Sequence, residues 1–453
     1  MQRLMRLLLG VLLGLLPLRP AQAADTVATD PAAGTPTATA NPTEILKRID
    51  DLRAARLTAA RQSGGPYDAA GVERDTREIA RQGTAGVDAQ AIPAADALAW
   101  AKVFAVAHDN TAVIALVARF LATNPSAADR FTAELLRLDA LAETNDGKQL
   151  AALLVNVVAP DDGSAGLLTA KVVRHYVDLL AAALGTDATV ALLDKIHATL
   201  PAGDATALAR TRLAVEEERR KKNSLPPVED EAKQLAAYEQ QVRNTWRLRG
   251  YFFAKAESDL LVAAGRHDDA VKLLAGFVDA TPPEFAGARR AANSTKALLT
   301  LPGTAAPDIK PLSSIGAFGG LSALKGKVVL LDFFAHWCGP CKASIPDTHK
   351  LLADLQDQGL AVVGVTQYYG YYGKERNLSR ADEEDRLHGF VKEHDITWPI
   401  VLVDGDTSAS YGVSGIPEVV VLDRQGTIRK IEVGYSPDSF ARFRAEVEAL
   451  LKA

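Results

Sequence analysis

Cys338 and Cys341 are the only cysteines among 453 residues, and they lie in the run Trp337-Cys338-Gly339-Pro340-Cys341. A chain that keeps two thiols three positions apart is using them as a pair. If a helix begins at the first cysteine, this spacing puts both sulfurs on one face, close enough to close a small disulfide ring. The N-terminus of that helix supplies partial positive charge, which favours a thiolate on Cys338. A thiolate attacks a partner's disulfide, and the second cysteine then resolves the mixed disulfide. The pair reads as a redox centre.

Other uses of the pair fit less well. A structural disulfide across so short a loop stabilises little, because the gain grows with the length of chain closed. Zinc requires two more ligands, and the eight histidines (His108, His175, His197, His267, His336, His349, His388, His394) form no close HxxxH or HxxH pair. No metal or other cofactor is therefore expected. Two inert buried cysteines would leave the intervening Gly-Pro and the preceding Trp337 unexplained.

The elements that must position the pair are legible around it. Beyond Leu301-Pro302-Gly303 the chain changes texture to β-branched runs separated by helical stretches. Val328–Phe334, Leu360–Thr366, Ile400–Val403, Val419–Leu422 and Ile428–Val433 read as strands, and Cys338–Gln356, Arg380–His394 and Pro437–Lys452 as helices. Asp423-Arg424-Gln425-Gly426 reads as a hairpin turn. The result is an α/β domain over 303–453 with the cysteines at a strand-to-helix junction, and a fragment from about Gly303 is expected to fold by itself.

Residues 43–301 differ. They are rich in Ala and Leu, with apolar residues at helical spacing such as Leu116, Phe120 and Leu121, or Val271, Leu274 and Val278. An all-helical domain is expected. Helices begin near Asp109, Asp146, Asp187 and Asp268, and several end at a proline (Pro125, Pro160, Pro201, Pro282). The first three starts are 37 and 41 residues apart, near the tetratricopeptide period of about 34 residues. Degenerate TPR-like helical hairpins and an irregular helical bundle both fit. Glu216–Lys222 reads as a solvated helix face, its acids paired with bases four residues on.

At the N-terminus, Arg3 and Arg6 precede an apolar run from Leu7 to Leu18, and Ala21-Gln22-Ala23 has the form of a cleavage site. Residues 1–23 thus read as a signal peptide, and 24–42, rich in Ala, Thr and Pro, as a flexible linker. The protein is expected to be periplasmic or otherwise exported. Loss of 1–23, which carries Arg3, Arg6 and Arg19 and no acid, takes the net charge from −5 to −8. A mildly acidic chain without a basic patch argues against nucleic acid as a partner.

With these residues in view, 303–453 resembles the thioredoxin superfamily, and more closely its exported branch, the TlpA-like thiol-disulfide oxidoreductases. The resemblance rests on Ala306-Pro307-Asp308-Ile309, on the run from Leu324 through Asp332 to Cys341, on Trp398-Pro399, on Tyr411-Gly412-Val413-Ser414-Gly415-Ile416-Pro417 and on Leu422–Gly426. It implies a thioredoxin-like fold, with Cys338 as attacking thiol, Cys341 as resolving thiol and Trp337 shaping the surface beside them. It further implies a cis-proline at Pro417 whose backbone, with Ile416, pairs with an incoming chain, while Gly339 and Pro340 face the substrate. Asp332, six residues before Cys338 in an apolar strand, corresponds to the proton relay for the resolving cysteine; its alternative is a solvated structural acid.

Some positions depart from the pattern. His336 precedes Trp337, and either stabilises the thiolate or points into solvent. Glu418 stands where Thr is common, which would make the substrate-facing rim more acidic. No lysine in Leu360–Thr366 matches the usual companion of the buried acid. Tyr368, Tyr369, Tyr371 and Tyr372 crowd one loop, which reads either as a contact surface for substrate, through Tyr368 and Tyr369, or as an insertion packed on its own helix.

The resemblance implies reduction of disulfides in other exported proteins, for example in cytochrome c assembly, with electrons from a membrane thiol donor and without a bound cofactor. Three rivals stand beside it. A disulfide oxidase or isomerase is disfavoured by Gly-Pro between the cysteines, and a peroxiredoxin by the missing Pro-x3-Thr-x2-Cys signature. In the third, the helical domain is a scaffold that binds a partner and the redox pair is a sensor or tether.

Overall fold

The computed structural model describes residues 41–63, 67–160, 164–201, 204–222 and 226–452. The expected signal peptide lies outside the described residues, as does the linker except for its last two positions. Contacts divide the chain into two compact units, 1–242 and 243–453.

The first unit is helical. Its described helices are α1 (Pro42–Ser63), α2 (Ala69–Thr84), α3 (Ala97–Ala107), α4 (Asn110–Leu121), α5 (Ala127–Glu143), α6 (Gly147–Leu154), α7 (Ala165–Lys171), α8 (Val177–Leu184), α9 (Thr186–Thr199) and α10 (Ala205–Lys222), with a π-helical turn at Val172–Tyr176 between α7 and α8. Helix α11 (Glu231–Ala263) runs on into the second unit. Two connections use one device. After α3, His108 takes positive φ and the Asp109 N–H donates to Phe104 O at 3.0 Å; after α5, Asn145 takes positive φ and the Asp146 N–H donates to Leu141 O at 3.0 Å. Each aspartate then caps the next helix, Asp109 accepting from the Ala112 N–H and Asp146 from the Gln149 N–H, both at 3.0 Å. These bonds satisfy groups that helix ends leave open, which is why the aspartates marked helix starts in the sequence. At Asp187 and Asp268 the acid instead lies in the first turn. Ile45, Ile49, Ala101, Phe104, Val113 and Leu116 belong to one buried core. Glu216 pairs with Arg219 at 2.8 Å and with Arg220 at 3.0 Å.

In the second unit, α12 (His267–Ala280) and α13 (Ala286–Thr300) precede β1 (Ser313–Ile315), β2 (Val328–Phe333), α14 (Gly339–Leu355), β3 (Leu360–Gln367), β4 (Tyr371–Tyr372), β5 (Glu375–Arg376), α15 (Arg380–Glu393), β6 (Ile400–Val403), α16 (Gly405–Ser410), β7 (Glu418–Leu422), β8 (Ile428–Val433) and α17 (Pro437–Lys452). Six strands form a sheet in the order β1-β6-β3-β2-β7-β8, and β4 and β5 pair separately. Parallel pairing of β2 with β3 and of β3 with β6 fits helical crossovers through α14 and α15, while β7 and β8 are antiparallel around the Asp423–Gly426 turn. Strand alternation splits the interior into two layers. Leu330, Cys341, Ile345, Phe390 and Phe443 lie in one, and Leu331, Phe333, Val363, Tyr411 and Val420 in the other.

Helix α13 and the chain just after it are built into this unit. Leu301 packs on the second layer. The Gly303 N–H donates to Ile428 O at 2.7 Å, the Ile428 N–H to Thr304 O at 2.8 Å and the Ala306 N–H to Gly426 O at 2.9 Å. Gly412 has φ +77°, and a Cβ there would stand 2.5 Å from the Ala297 Cβ, so α13 lies directly on the loop leading to Pro417. Arg289 in turn binds α13 to the end of α12, donating to Val278 O at 2.7 Å and Thr281 O at 2.6 Å. Among the described residues no helix is long and apolar enough to cross a membrane.

These contacts predict that a fragment 243–453 unfolds in one urea transition, at a higher midpoint than a fragment from Gly303, which exposes the surface α13 covers. Equal midpoints for the two fragments would show that α12 and α13 contribute nothing to the sheet domain.

Candidate active site

The site forms where β2 ends and α14 begins. Cys338 is the N-cap of α14, and its Sγ accepts the Cys341 N–H at 3.2 Å. Pro340 occupies the first turn, where a proline costs no helix hydrogen bond. The two sulfurs form a disulfide with the Cα atoms 5.3 Å apart. Both cysteines are buried, whereas Trp337 is 48% exposed and Gly339 and Pro340 are exposed. The same backbone dipole that holds Sγ in the disulfide favours the thiolate of the reduced pair.

A second segment comes from the start of β7. The Ile416–Pro417 peptide bond is cis, and the Ile416 carbonyl oxygen lies 3.7 Å from Cys338 Sγ. The backbone at Ile416 is thus a wall of the site.

Asp332 lies in β2 beneath the helix. It is buried, its Oδ1 has no hydrogen-bond partner among the described residues, and burial pushes its carboxyl up to about 7. No lysine offsets this, in line with the lack of one in β3. A cavity of about 20 Å³ brings Asp332 together with Ser344, Thr348 and Pro417. Ser344 is one turn along α14 from Cys341 and donates to its carbonyl at 2.8 Å.

Glu418 does not face the substrate rim. Its side chain is fully buried, and burial raises its carboxyl to about 8 against the opposing influence of the Ser414 backbone. The register explains the placement. Phe333 pairs with Glu418 and Asp332 with Val419, so the two acids lie on opposite faces of adjacent strands. A charged residue just after a loop proline looks like rim in a sequence; here it is the first residue of an interior strand.

His336 does not point into solvent either. It is 3% exposed and surrounded by tyrosines, stacked on Tyr372 at 4.6 Å with Tyr371 and Tyr369 edge-on at 5.5 and 5.8 Å. Burial lowers its pKa below the ordinary imidazole value, against the opposing influence of Glu383 and the Tyr371 backbone. The tyrosine loop, unlike either sequence reading alone, packs on the redox loop and on its own helix. Tyr369 stands edge-on to Trp337 at 5.5 Å, while Tyr368 donates to Glu384 at 3.0 Å and lies beneath Arg380 at 5.3 Å. Glu383 escaped the sequence reading. It is 1% exposed and accepts the Tyr369 N–H at 2.7 Å and the Gly370 N–H at 2.8 Å. Its neighbours Asp382, Glu384 and Asp385 hide it, and only its place on the inner face of α15, one turn before Leu387, sets it apart.

Comparison with known proteins agrees with this geometry. Residues 301–451 match the Redoxin family. The chain is 35% identical over 133 residues to the thioredoxin-like protein YneN of Bacillus subtilis, spanning 29% of this chain and 71% of that one. It is 28% identical over 120 residues to the thiol-disulfide oxidoreductase ResA of the same organism, covering 26% of this chain and 60% of ResA. A putative thiol:disulfide interchange protein DsbE from Chlorobium tepidum, of known structure, is 30% identical over 33% of this chain and 97% of its own, with a TM-score of 0.29. The chain belongs to the thioredoxin-like thiol-disulfide oxidoreductases.

The buried acids predict an unusual pH dependence. Asp332 is pushed from an ordinary 3.8 to about 7, so between these values the native state holds a proton the unfolded chain has released. Stability is therefore unpenalised below pH 4, falls as pH rises and levels off above 7, a loss of roughly 4 kcal/mol for this one group. Asp332→Asn is expected to flatten that part of the profile and to be more stable than the parent at pH 8, leaving the slope due to Glu418. Urea midpoints from pH 4 to 8 measure this; equal stability of the two proteins at pH 8 would contradict the buried, unpaired state of Asp332.

Proposed function

We propose that the protein is an exported thiol-disulfide oxidoreductase that reduces disulfides in other exported proteins. The carrying observation is the Cys338–Cys341 pair at the start of α14, with Cys338 Sγ accepting a backbone N–H and lying against the Ile416 carbonyl. Reduced Cys338, as thiolate, attacks one sulfur of a partner's disulfide, forming a mixed disulfide; the S–S bond breaks and the other sulfur leaves as a thiolate that takes a proton from water. Asp332 takes the proton of Cys341. The Cys341 thiolate then attacks Cys338 Sγ, the partner's second sulfur leaves as a thiol, and the protein is left with its own disulfide. Two electrons pass to the partner, with one proton that leaves Cys341 through Asp332 and one taken from water.

The positions of the residues support a division of roles. Cys338 is the nucleophile, Cys341 the resolving thiol and Asp332 the base, since a carboxyl near 7 both accepts and returns a proton near neutrality. Trp337, Gly339 and Pro340 form the exposed rim, and the backbone at Ile416–Pro417 pairs with the incoming chain. Tyr368 and Tyr369 complete the surface. A membrane thiol donor returns the electrons, and the 1–23 signal peptide makes the protein periplasmic or otherwise exported. The α3–α4 and α5–α6 hairpins, with their shared turn, support a TPR-like reading of the helical unit as a site for a protein partner.

In the native compartment, Cys341→Ser is expected to accumulate mixed disulfides with partner proteins and Cys338→Ser to accumulate none. Asp332→Asn should slow the resolution step in single-turnover kinetics by about a hundredfold or more, as expected for the loss of a general base worth ~10²–10⁴-fold, with attack by Cys338 changed less. Equal trapping by both cysteine variants would overturn the assignment of roles.

A further inference from the structure

The tyrosine loop is held by a buried charge that the exchange chemistry does not use. Glu383 sits in the first turn of α15, a helix fixed in the core by Leu387 and Phe390. A carboxylate at 1% exposure is costly unless its oxygens are satisfied. Here they accept the Tyr369 and Gly370 N–H groups at 2.7 and 2.8 Å, bonds of the charge-assisted kind. Beyond them the chain enters the β4–β5 hairpin through Gly370 (φ +72°) and turns within it at Gly373 (φ +56°). A second tie runs through Glu384, which accepts from Tyr368 Oη and Ser313 Oγ. The hairpin is thus anchored to a rigid helix, and it presents Tyr369 against Trp337, the exposed neighbour of Cys338.

We propose that Glu383 is a positioning residue for substrate choice, holding the tyrosine hairpin as an aromatic wall that selects disulfides flanked by an aromatic side chain. The inference rests on the disulfide-exchange reading and adds the class of substrate to it. In the mixed disulfide the partner's cysteine is bonded to Cys338 Sγ, with Cα atoms about 5.5–6 Å apart. The partner's residues next to its cysteine then fall beside Trp337 and Tyr369. On the other wall, Ile416 offers its backbone, which reads no side chain. Cations are disfavoured as the flanking group. Arg376 already covers Tyr371 at 4.7 Å and Arg380 covers Tyr368 at 5.3 Å, and these guanidinium groups, with exposed Lys342, repel further positive charge. A neutral ring gains an aromatic contact worth up to about tenfold in affinity.

The test uses the full chain and two synthetic disulfide-linked peptides that differ only in the residue beside cysteine, Phe against Ser. The parent is expected to favour the Phe peptide about tenfold in kcat/KM, through KM. Glu383→Gln, which loses the charge and one acceptor, and Tyr369→Ala, which removes the half-buried ring beside Trp337, should each bring the ratio to about two or below. A purely structural role for Glu383 would slow both peptides alike and leave the ratio intact. Absence of a preference in the parent, or its survival in either variant, overturns the inference. Failure of the parent to reduce either peptide would bring down the exchange reading itself, and the inference with it.

Discussion

One backbone N–H given to a sulfur organises the active end of this molecule. A helix N-terminus has donors with no partner of their own, and at α14 the donor of Cys341 is spent on Cys338 Sγ. For that bond to form, β2 must stop at Phe333, the redox loop must turn within a few residues, and a proline must be tolerable in the first helical turn. The sheet order then brings β7 beside β2, and with it the Ile416 carbonyl to the same sulfur. Helix, strand end and loop are arranged around one atom whose charge changes during the reaction.

The interior of the sheet domain holds two buried carboxyls, Asp332 and Glu418, on opposite faces of adjacent strands. Burial raises both, Asp332 to about 7 and Glu418 to about 8. Only Asp332 borders the cavity that reaches α14, so position in the pleat separates an acid with a route to the chemistry from one without. Two residues of the same chemical type and similar acidity are distinguished by which way one strand register turns them.

Much of this was legible in the amino-acid order, for physical reasons that also explain what was not. The long β-branched runs at Val328 and Leu360 gave strand limits within about a residue, because a strand buried on both faces leaves a continuous apolar signature. The cysteine pair and Pro417 were legible through spacing and context. Ser313–Ile315 and the two-residue strands β4 and β5 are too short to carry any period. Glu383 and Glu418 were missed or misplaced because a buried acid reads like a surface one; what distinguishes them is a loop donor or a strand partner far away in the chain. Ala-rich texture announced α12 and α13 as helices but could not say which core they join, since alanine packs equally well against helix or sheet.

Gly412 and Ala297 form the tightest of these junctions. Neither position has room for growth: the glycine is held at a backbone angle that suits no side chain well, and the alanine methyl occupies the volume a Cβ there would need. A fit with no slack transmits displacement. A larger side chain at either position would therefore force helix α13 away from the loop running to Pro417, at the edge where a partner chain would be laid down.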